Sequence, residues 1–401
     1  MIRIPVYLDY HSTTPVDPRV LEAMLPYFRD RFGNASSRNH EYGWVAEAAV
    51  ESARTKIAGL IGASAKEIVF TSGATESINL ALKGVAENAR SRGNHIITVE
   101  TEHSAVLDTC RHLEKYGYRV TYLPVDATGK IQATQVSDAI AGDTILVSIM
   151  AANNEIGTIA PLAEIGRICR SRGVLFHTDA TQAVGRIPVE VGLMNIDLMS
   201  FSGHKMYGPK GIGALYIRSA HPMIHLSQQM DGGGHERGIR SGTLNVPGAV
   251  GMGEAARIAR VEMAEETIRI ARQRDRLVSG ISAQLDDVHV HGHPTDRLPN
   301  NANITFAGTT ADRLMMDMKD IAVSSGSACS TASPKPSHVL RAIGLHNDEI
   351  QASLRFGLGR FTTDEEIEYA IMQVVRTVKA ARKRAKGTDR TYVQQVDETR
   401  N

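Results

Sequence analysis

The run Val174-Leu175-Phe176-His177-Thr178-Asp179-Ala180-Thr181-Gln182 is followed by Asp197-Leu198-Met199-Ser200-Phe201-Ser202-Gly203-His204-Lys205. Val174 to His177 and Asp197 to Phe201 are short apolar stretches that read as buried strands. Each gives way at once to groups able to do chemistry: carboxylate and amide after the first, hydroxyl, imidazole and amine after the second. A helical pattern, Leu162 to Arg172, precedes the pair and is closed by Gly173. Helix, strand, polar turn is the repeat of an α/β domain, and the rest of the chain can be tested against it.

Outward from this stretch the repeat recurs. Strand-like segments are Glu67 to Phe70, His95 to Val99, Thr144 to Met150 and Gly213 to Ile217. Helical patterns cover Glu76 to Arg90 and Ser104 to Tyr116, with Gly93 and Gly117 beyond them as stop signals. Two more helical patterns come earlier, Pro18 to Arg31 and Glu41 to Ile61. After about Gly251 the pattern changes to a long helix, Glu254 to Leu285, then short strands and a last helix from Asp364. The expected fold class is α/β, with a large, mostly parallel mixed-sheet domain over 15–255. A smaller α+β domain is expected from 1–14 and 256–385, and a mobile tail over 386–401. The tail turns basic and then polar from Lys379.

Composition narrows the function classes. The 401 residues carry a formal net charge of +1, which gives no global field for nucleic acid or an anionic membrane. The first residues lack the charged and apolar regions of a secretory signal, and no apolar run is long enough to span a bilayer. Three cysteines, Cys110, Cys169 and Cys329, make no disulfide framework, so a reducing, cytoplasmic setting is expected.

Ligands of open α/β sheets bind outside the carboxyl ends of the strands. After Glu67 to Phe70 come Thr71-Ser72-Gly73-Ala74-Thr75; after His95 to Val99 come Glu100-Thr101-Glu102-His103; after Thr144 to Met150 come Asn153-Asn154-Glu155. Together with Asp179, Gln182 and Ser202 to Lys205, five strands end in functional groups, each suited to pyridoxal phosphate. The Ser-Gly-Ala-Thr turn opens a helix whose N–H groups favour a phosphate. Asp179 can hold a pyridine nitrogen protonated, Gln182 can reach the ring hydroxyl, Lys205 can form a Schiff base, and His103 can stack and move protons. Taken singly, Lys205 reads as a solvated turn residue, Asp179 as a helix cap and His103 as a satisfied histidine. Their common placement reverses that reading. Lys210 competes with Lys205 but sits between Pro209 and Gly211 in a turn leading away.

These residues carry a resemblance. Tyr7-Leu8-Asp9-Tyr10 with Thr13-Thr14-Pro15, Phe70 to Ser77, Thr101-Glu102-His103, Asn153 to Gly157, Asp179 to Gln182, Ser200 to Lys205, Gly232 to Thr243, Ser324 to Cys329 and Arg355-Phe356 resemble the cysteine desulfurases of iron–sulfur cluster assembly. Those are fold-type I, class V aminotransferase-like enzymes dependent on pyridoxal 5'-phosphate. The resemblance implies Lys205 as the cofactor's lysine, Asp179 on the pyridine nitrogen, and Gln182 at the ring hydroxyl with Asn154 near both ring and substrate. It implies His103 as stacking acid/base, and Thr75, Ser202 and His204 with the backbone of Ala74 and Gly203 as the phosphate cup. Thr243 would reach the phosphate of the neighbouring subunit, implying a homodimer, and Arg355 would bind the substrate carboxylate.

Cys329 lies in a stretch, Ser324 to Ser333, of small polar residues, the setting of a surface loop, whereas Cys110 and Cys169 fall on apolar helix faces. The resemblance implies that the Cys329 thiolate attacks the sulfur of L-cysteine, leaving a persulfide and releasing L-alanine. Sulfur then passes to a protein acceptor serving iron–sulfur clusters, thio-cofactors or tRNA thiolation, and the one metal contact allowed is Cys329 with a nascent cluster. A selenocysteine lyase, a small aminotransferase and a non-catalytic sulfur relay are the competing classes. The chain departs from the family in its end, Thr388 to Asn401, which holds no tryptophan, and in Ser219 to Met230, which holds no Lys or Arg; both bear on the acceptor. His289, His291 and His293 alternate, but read as an exposed edge rather than a metal site.

Overall fold

The computed structural model describes residues 2–219, 222–325 and 336–398, with side chains through 385. By internal packing the chain falls into two units, Thr13–Asn154 with Thr158–Glu265, and Met1–Ser12 with Glu155–Gly157 and Glu266–Asn401.

The first unit holds a seven-stranded sheet. Its strands in chain order are β1 (Ile68–Thr71), β2 (His95–Val99), β3 (Arg119–Leu123), β4 (Thr144–Ser148), β5 (Leu175–Asp179), β6 (Leu198–Ser202) and β7 (Gly213–Ile217). Their order across the sheet is β1-β7-β6-β5-β4-β2-β3. Neighbours from β3 to β6 are parallel, and β7 is antiparallel to both β6 and β1. Two reversals restore direction, so β1 runs with β6 and ends on the same edge. Helices α1 (Ala74–Asn88), α2 (Ser104–Glu114) and α3 (Leu162–Arg172) connect strands. Val69, Leu80, Leu82, Ile96, Val106, Leu146 and Leu198 fill one core there, with full burial of β1, β2 and β4 to match their apolar sequences.

The six strands expected for this sheet are all present, His95–Val99 and Gly213–Ile217 with the expected bounds and the others shifted by a residue or two at their ends. β3 was not signalled, because it is an edge strand from Arg119 with only Leu123 buried and thus carries no apolar run. The single helix expected over Pro18 to Arg31 is two, Pro18–Met24 and Pro26–Arg29, since Pro26 has no N–H to continue the first. The long helix α4 (Val246–Ser282) starts before Glu254. Gly248, Gly251 and Gly253 hide that start from a propensity reading, but packing demands two of them. A Cβ at Gly253 would lie 2.7 Å from Ala53 Cα, and one at Gly251 would lie 2.5 Å from Met24 Sδ.

The second unit has a four-stranded antiparallel sheet of β8 (Val288–His291), β9 (Asn301–Phe306), β10 (Ser324–Ser325) and β11 (Ser353–Gly357), in the order β10-β11-β9-β8. Val6–Tyr7 pairs in parallel with Ile321–Ala322 beside it. Helix α5 (Asp364–Glu398) packs Ile367, Val374 and Val378 with Leu277, Ile281, Ile304, Phe306, Leu354 and Phe356. The helix extends past Lys379, through a segment rich in Ala, Lys and Arg, all strong helix formers.

Candidate active site

Because β1, β2, β4, β5 and β6 all end on one edge of the sheet, the groups that follow them are brought to that edge. At β1 the chain turns through Ser72-Gly73 into α1, whose first residues are Ala74 and Thr75. Gly73 gives this helix no side-chain cap, so its first N–H groups are not taken by the usual Ser or Asp oxygen. A Cβ built on Gly73 meets nothing within 4 Å. Gly213 approaches from behind, and a Cβ there would lie 2.6 Å from Gly73 Cα. An acidic residue in the first turn, Glu76, would oppose an anion, but Arg240 pairs with it at 2.7 Å. Glu236 fastens the same turn from another side: it accepts the Phe70 N–H at 2.7 Å and forms a buried ion pair with Arg54. Glu236 and Arg237 hold positive φ angles of 49° and 58°, so the segment that leads on to Thr243 is tightly specified. Thr243 itself is exposed.

At β6 the strand ends on buried Ser202, and Gly203–Lys205 form one tight turn. His204 is held there by Thr13 and Thr14: its Nδ1 lies 3.1 Å from Thr13 Oγ1, and its carbonyl accepts the Thr14 N–H at 3.0 Å and the Thr14 hydroxyl at 2.9 Å. Burial, helped by the Lys205 and Lys210 charges, pushes the His204 imidazole down to about 4. Lys205 is half-buried, with its carbonyl accepting Arg186 Nη2 at 3.0 Å, whereas Lys210 is exposed.

At β5 the last residue is Asp179, 5 % exposed, whose Oδ1 accepts the Thr181 N–H at 3.0 Å. Gln182 is buried one turn on. His177, two residues before Asp179 and so on the same face, bridges Ser148 at 2.8 Å and Ser200 at 2.9 Å. Burial pushes its pKa down to about 3, so it is a neutral tie across β4, β5 and β6. At β2 the half-buried His103 caps α2, and its Nδ1 accepts the Ala105 N–H at 3.1 Å, which leaves the proton of the neutral ring on Nε2. His103 and Thr75 line one hollow of about 300 Å³. At β4 buried Asn153 donates to Thr101 O at 3.0 Å, and Asn154 follows it, half-buried.

In the second unit, Arg355 is 2 % exposed on β11. Its Nη2 donates to Asp9 Oδ1 at 3.0 Å, Ser12 Oγ at 2.9 Å and Ser324 Oγ at 3.0 Å. A cavity of about 770 Å³ in this unit, lined by His289, Arg313, Glu349 and Arg384, contains none of the expected site residues. The three alternating histidines do not converge: His291 bonds Thr305 at 2.6 Å, His293 accepts the Asp296 N–H, and His289 is exposed. Among the described residues no group of three His, Cys, Asp or Glu is arranged for a metal. Cys329 lies outside the described residues. Cys110 and Cys169 are buried, and burial pushes each thiol up to about 12, so neither is a nucleophile at neutral pH.

Sequence reasoning did not single out Glu102, His177, the Asp9, Ser12 and Ser324 set or the Glu236 anchor for any role. Asp9, Glu102, Glu236 and Ser324 fall inside recurring motif stretches, but only folding shows what they touch.

The family model for class-V aminotransferases matches residues 6–370. The chain belongs to that family. A cysteine desulfurase IscS of Anaeromyxobacter dehalogenans is 57 % identical over 370 residues, covering 92 % of this chain and 91 % of that protein. A cysteine desulfurase IscS of Rickettsia bellii is 52 % identical over 379 residues, covering 94 % and 92 %. Among solved structures, a NifS-like protein superposes with a TM-score of 0.87 at 39 % identity, covering 93 % of this chain and 99 % of that one. SspA in complex with cysteine superposes with a TM-score of 0.79 at 38 % identity, covering 89 % and 100 %. Within the class-V aminotransferases the chain belongs with the cysteine desulfurases, whose fold-type I architecture and pyridoxal 5'-phosphate dependence it shares.

The residues fit that cofactor. An uncapped helix start beside an open glycine suits a phosphate ester, the Arg240 pairing offsets the Glu76 charge, and a buried aspartate ends one strand while a lysine amine follows the adjacent one.

Proposed function

We propose that this protein is a cysteine desulfurase that converts L-cysteine to L-alanine and carries the sulfur as a persulfide on Cys329. The observation that carries the reading is the gathering of Thr75, His103, Asn154, Asp179 and Lys205 behind five strands that end on one sheet edge.

Lys205 would hold the cofactor covalently, with Ala74, Thr75, Ser202, Gly203 and His204 around the phosphate. A neutral His204 donates or accepts without adding a proton-dependent charge there. Asp179 would face the pyridine nitrogen and Gln182 the ring hydroxyl. The bound cofactor supplies an electron sink for the pair left when the substrate loses its α-proton. His103, carrying its proton on Nε2, would stack on the ring and move protons at that atom. Arg355 would bind the α-carboxylate, its Nη2 held by Asp9, Ser12 and Ser324, with Asn154 beside the substrate. The Cys329 thiolate then attacks the substrate Sγ. An S–S bond forms, the Cβ–Sγ bond breaks, its electron pair stays with the carbon fragment, and protonation of that fragment yields alanine.

The active species is proposed to be a homodimer in which the exposed Thr243 reaches the neighbour's phosphate. The persulfide passes to a protein acceptor serving iron–sulfur clusters, thio-cofactors or tRNA thiolation, with Cys329 in contact with a nascent cluster as the one metal encounter. A cytoplasmic location is proposed with it; among the described residues no helix is long and apolar enough to cross a membrane.

The test is to measure sulfide and alanine released from L-cysteine with a reductant, for wild type and Cys329→Ala. Equal amounts of both from wild type and almost none from the variant are expected. A yellow wild type that yields neither product overturns the desulfurase reading.

A further inference from the structure

Glu102 stands beside His103 and has no part in the chemistry above. We propose that Glu102 is a positioning residue that sets His103 against Asp179, its carboxyl fastening the turn after β2 to the end of β4. The side chain is fully buried, and its Oε1 accepts the Met150 N–H at 2.6 Å. The same turn is gripped in the opposite sense by Asn153, whose amide donates to Thr101 O at 3.0 Å. From the β4 end the linkage continues: the Ala151 N–H donates to Asp179 O, and the Ala180 N–H to Ser200 O, each at 2.9 Å. A run of short contacts thus leads from the backbone beside His103 to the backbone of Asp179, whose carboxylate would face the ring, and on to the strand that presents Ser202.

The chemistry of the link follows from its surroundings. Burial first, and the Asp179 charge second, hold the Glu102 carboxyl well above the usual carboxylate range. Asp179 acts on it and Cys110 feels it, and Cys110 is a thiol at neutral pH. An ionised Glu102 would add a second negative charge close to Asp179 in a fully buried place. The group therefore works by hydrogen bonding, and an uncharged amide of the same shape reproduces it.

This inference rests on the roles given to His103 and Asp179, so the experiment carries His103→Gln as a reference. Holoenzymes of wild type, Glu102→Leu, Glu102→Gln and His103→Gln are compared by kcat and KM for L-cysteine, by the pH titration of the cofactor's visible absorption, and by Tm. Glu102→Leu keeps the volume but strands the Met150 N–H; it should lower kcat about 10- to 100-fold, the effect of a displaced catalytic group, with KM little changed. It should also displace the absorption titration, which a merely structural loss would not move. Glu102→Gln should rescue kcat to within about threefold of wild type and restore the titration. Two results overturn the proposal: Gln as slow as Leu, or Leu lowering Tm while kcat and the titration stay put. Should Glu102→Leu not fold, Glu102→Gln decides alone, with a tenfold loss of kcat contradicting the proposal. An unchanged kcat in His103→Gln removes the reading of His103, and this inference falls with it.

Discussion

At the sheet edge where β1, β2, β4, β5 and β6 end, each functional group follows its own strand by a few residues, whereas Arg355 is met by Asp9, Ser12 and Ser324, far from it in the chain. The first region is assembled by sheet topology: parallel strands deliver their ends to one place, and short turns then fix the groups. The second is assembled by a hydrogen-bond network on a smaller antiparallel sheet, in which a buried guanidinium is held by a carboxylate and two hydroxyls. A topological site should fail in its chemistry when one group is removed, because strand geometry survives. A network site should fail in binding, because its members hold one another.

His103→Gln tests the first half of that contrast. It should reduce kcat by about 10²- to 10⁴-fold, the span typical for a general acid/base, while the cofactor remains bound and Tm stays near wild type. Arg355→Lys tests the second half. Losing the planar fork should raise KM for L-cysteine so that kcat/KM falls about 10- to 100-fold, as for loss of a charged hydrogen bond. If His103→Gln raises KM instead, or Arg355→Lys slows only kcat, the contrast breaks.

A smaller effect concerns stability beneath the first region. The unfolded chain protonates His177 near 6.5, but the folded protein does so only near 3. A depressed folded pKa gives stability that is present above pH 6.5 and is lost as pH falls toward 3. This group alone should remove about 2 kcal/mol by pH 5. Urea midpoints at pH 7 and pH 5 should show the loss in wild type and a flatter slope in His177→Asn. An equal slope in both would place the acid sensitivity elsewhere.

The same contrast explains what was legible in the sequence. Asp179, Gln182, Ser202, His204 and Lys205 could be picked out because each lies just past an apolar run that ends a buried strand. Nothing local marks Asp9 or Ser324 as a partner of Arg355; that pairing joins residues 9 and 355 through β11 and its neighbours. Glu102 lies within a motif, but nothing in the sequence gives it a role, because its burial and its bond to Met150 are products of folding. β3 escaped because an edge strand needs no apolar run, and the start of α4 because its glycines serve packing rather than propensity.

The turn after β6 is proposed to carry the cofactor on Lys205. Borohydride reduction of the holoenzyme, digestion and mass mapping test it directly. A pyridoxyl group is expected on the peptide containing Lys205, and a colourless protein with no label in Lys205→Ala. A label on Lys210 or any other lysine, or a Lys205→Ala protein that stays yellow and labelled, would contradict it.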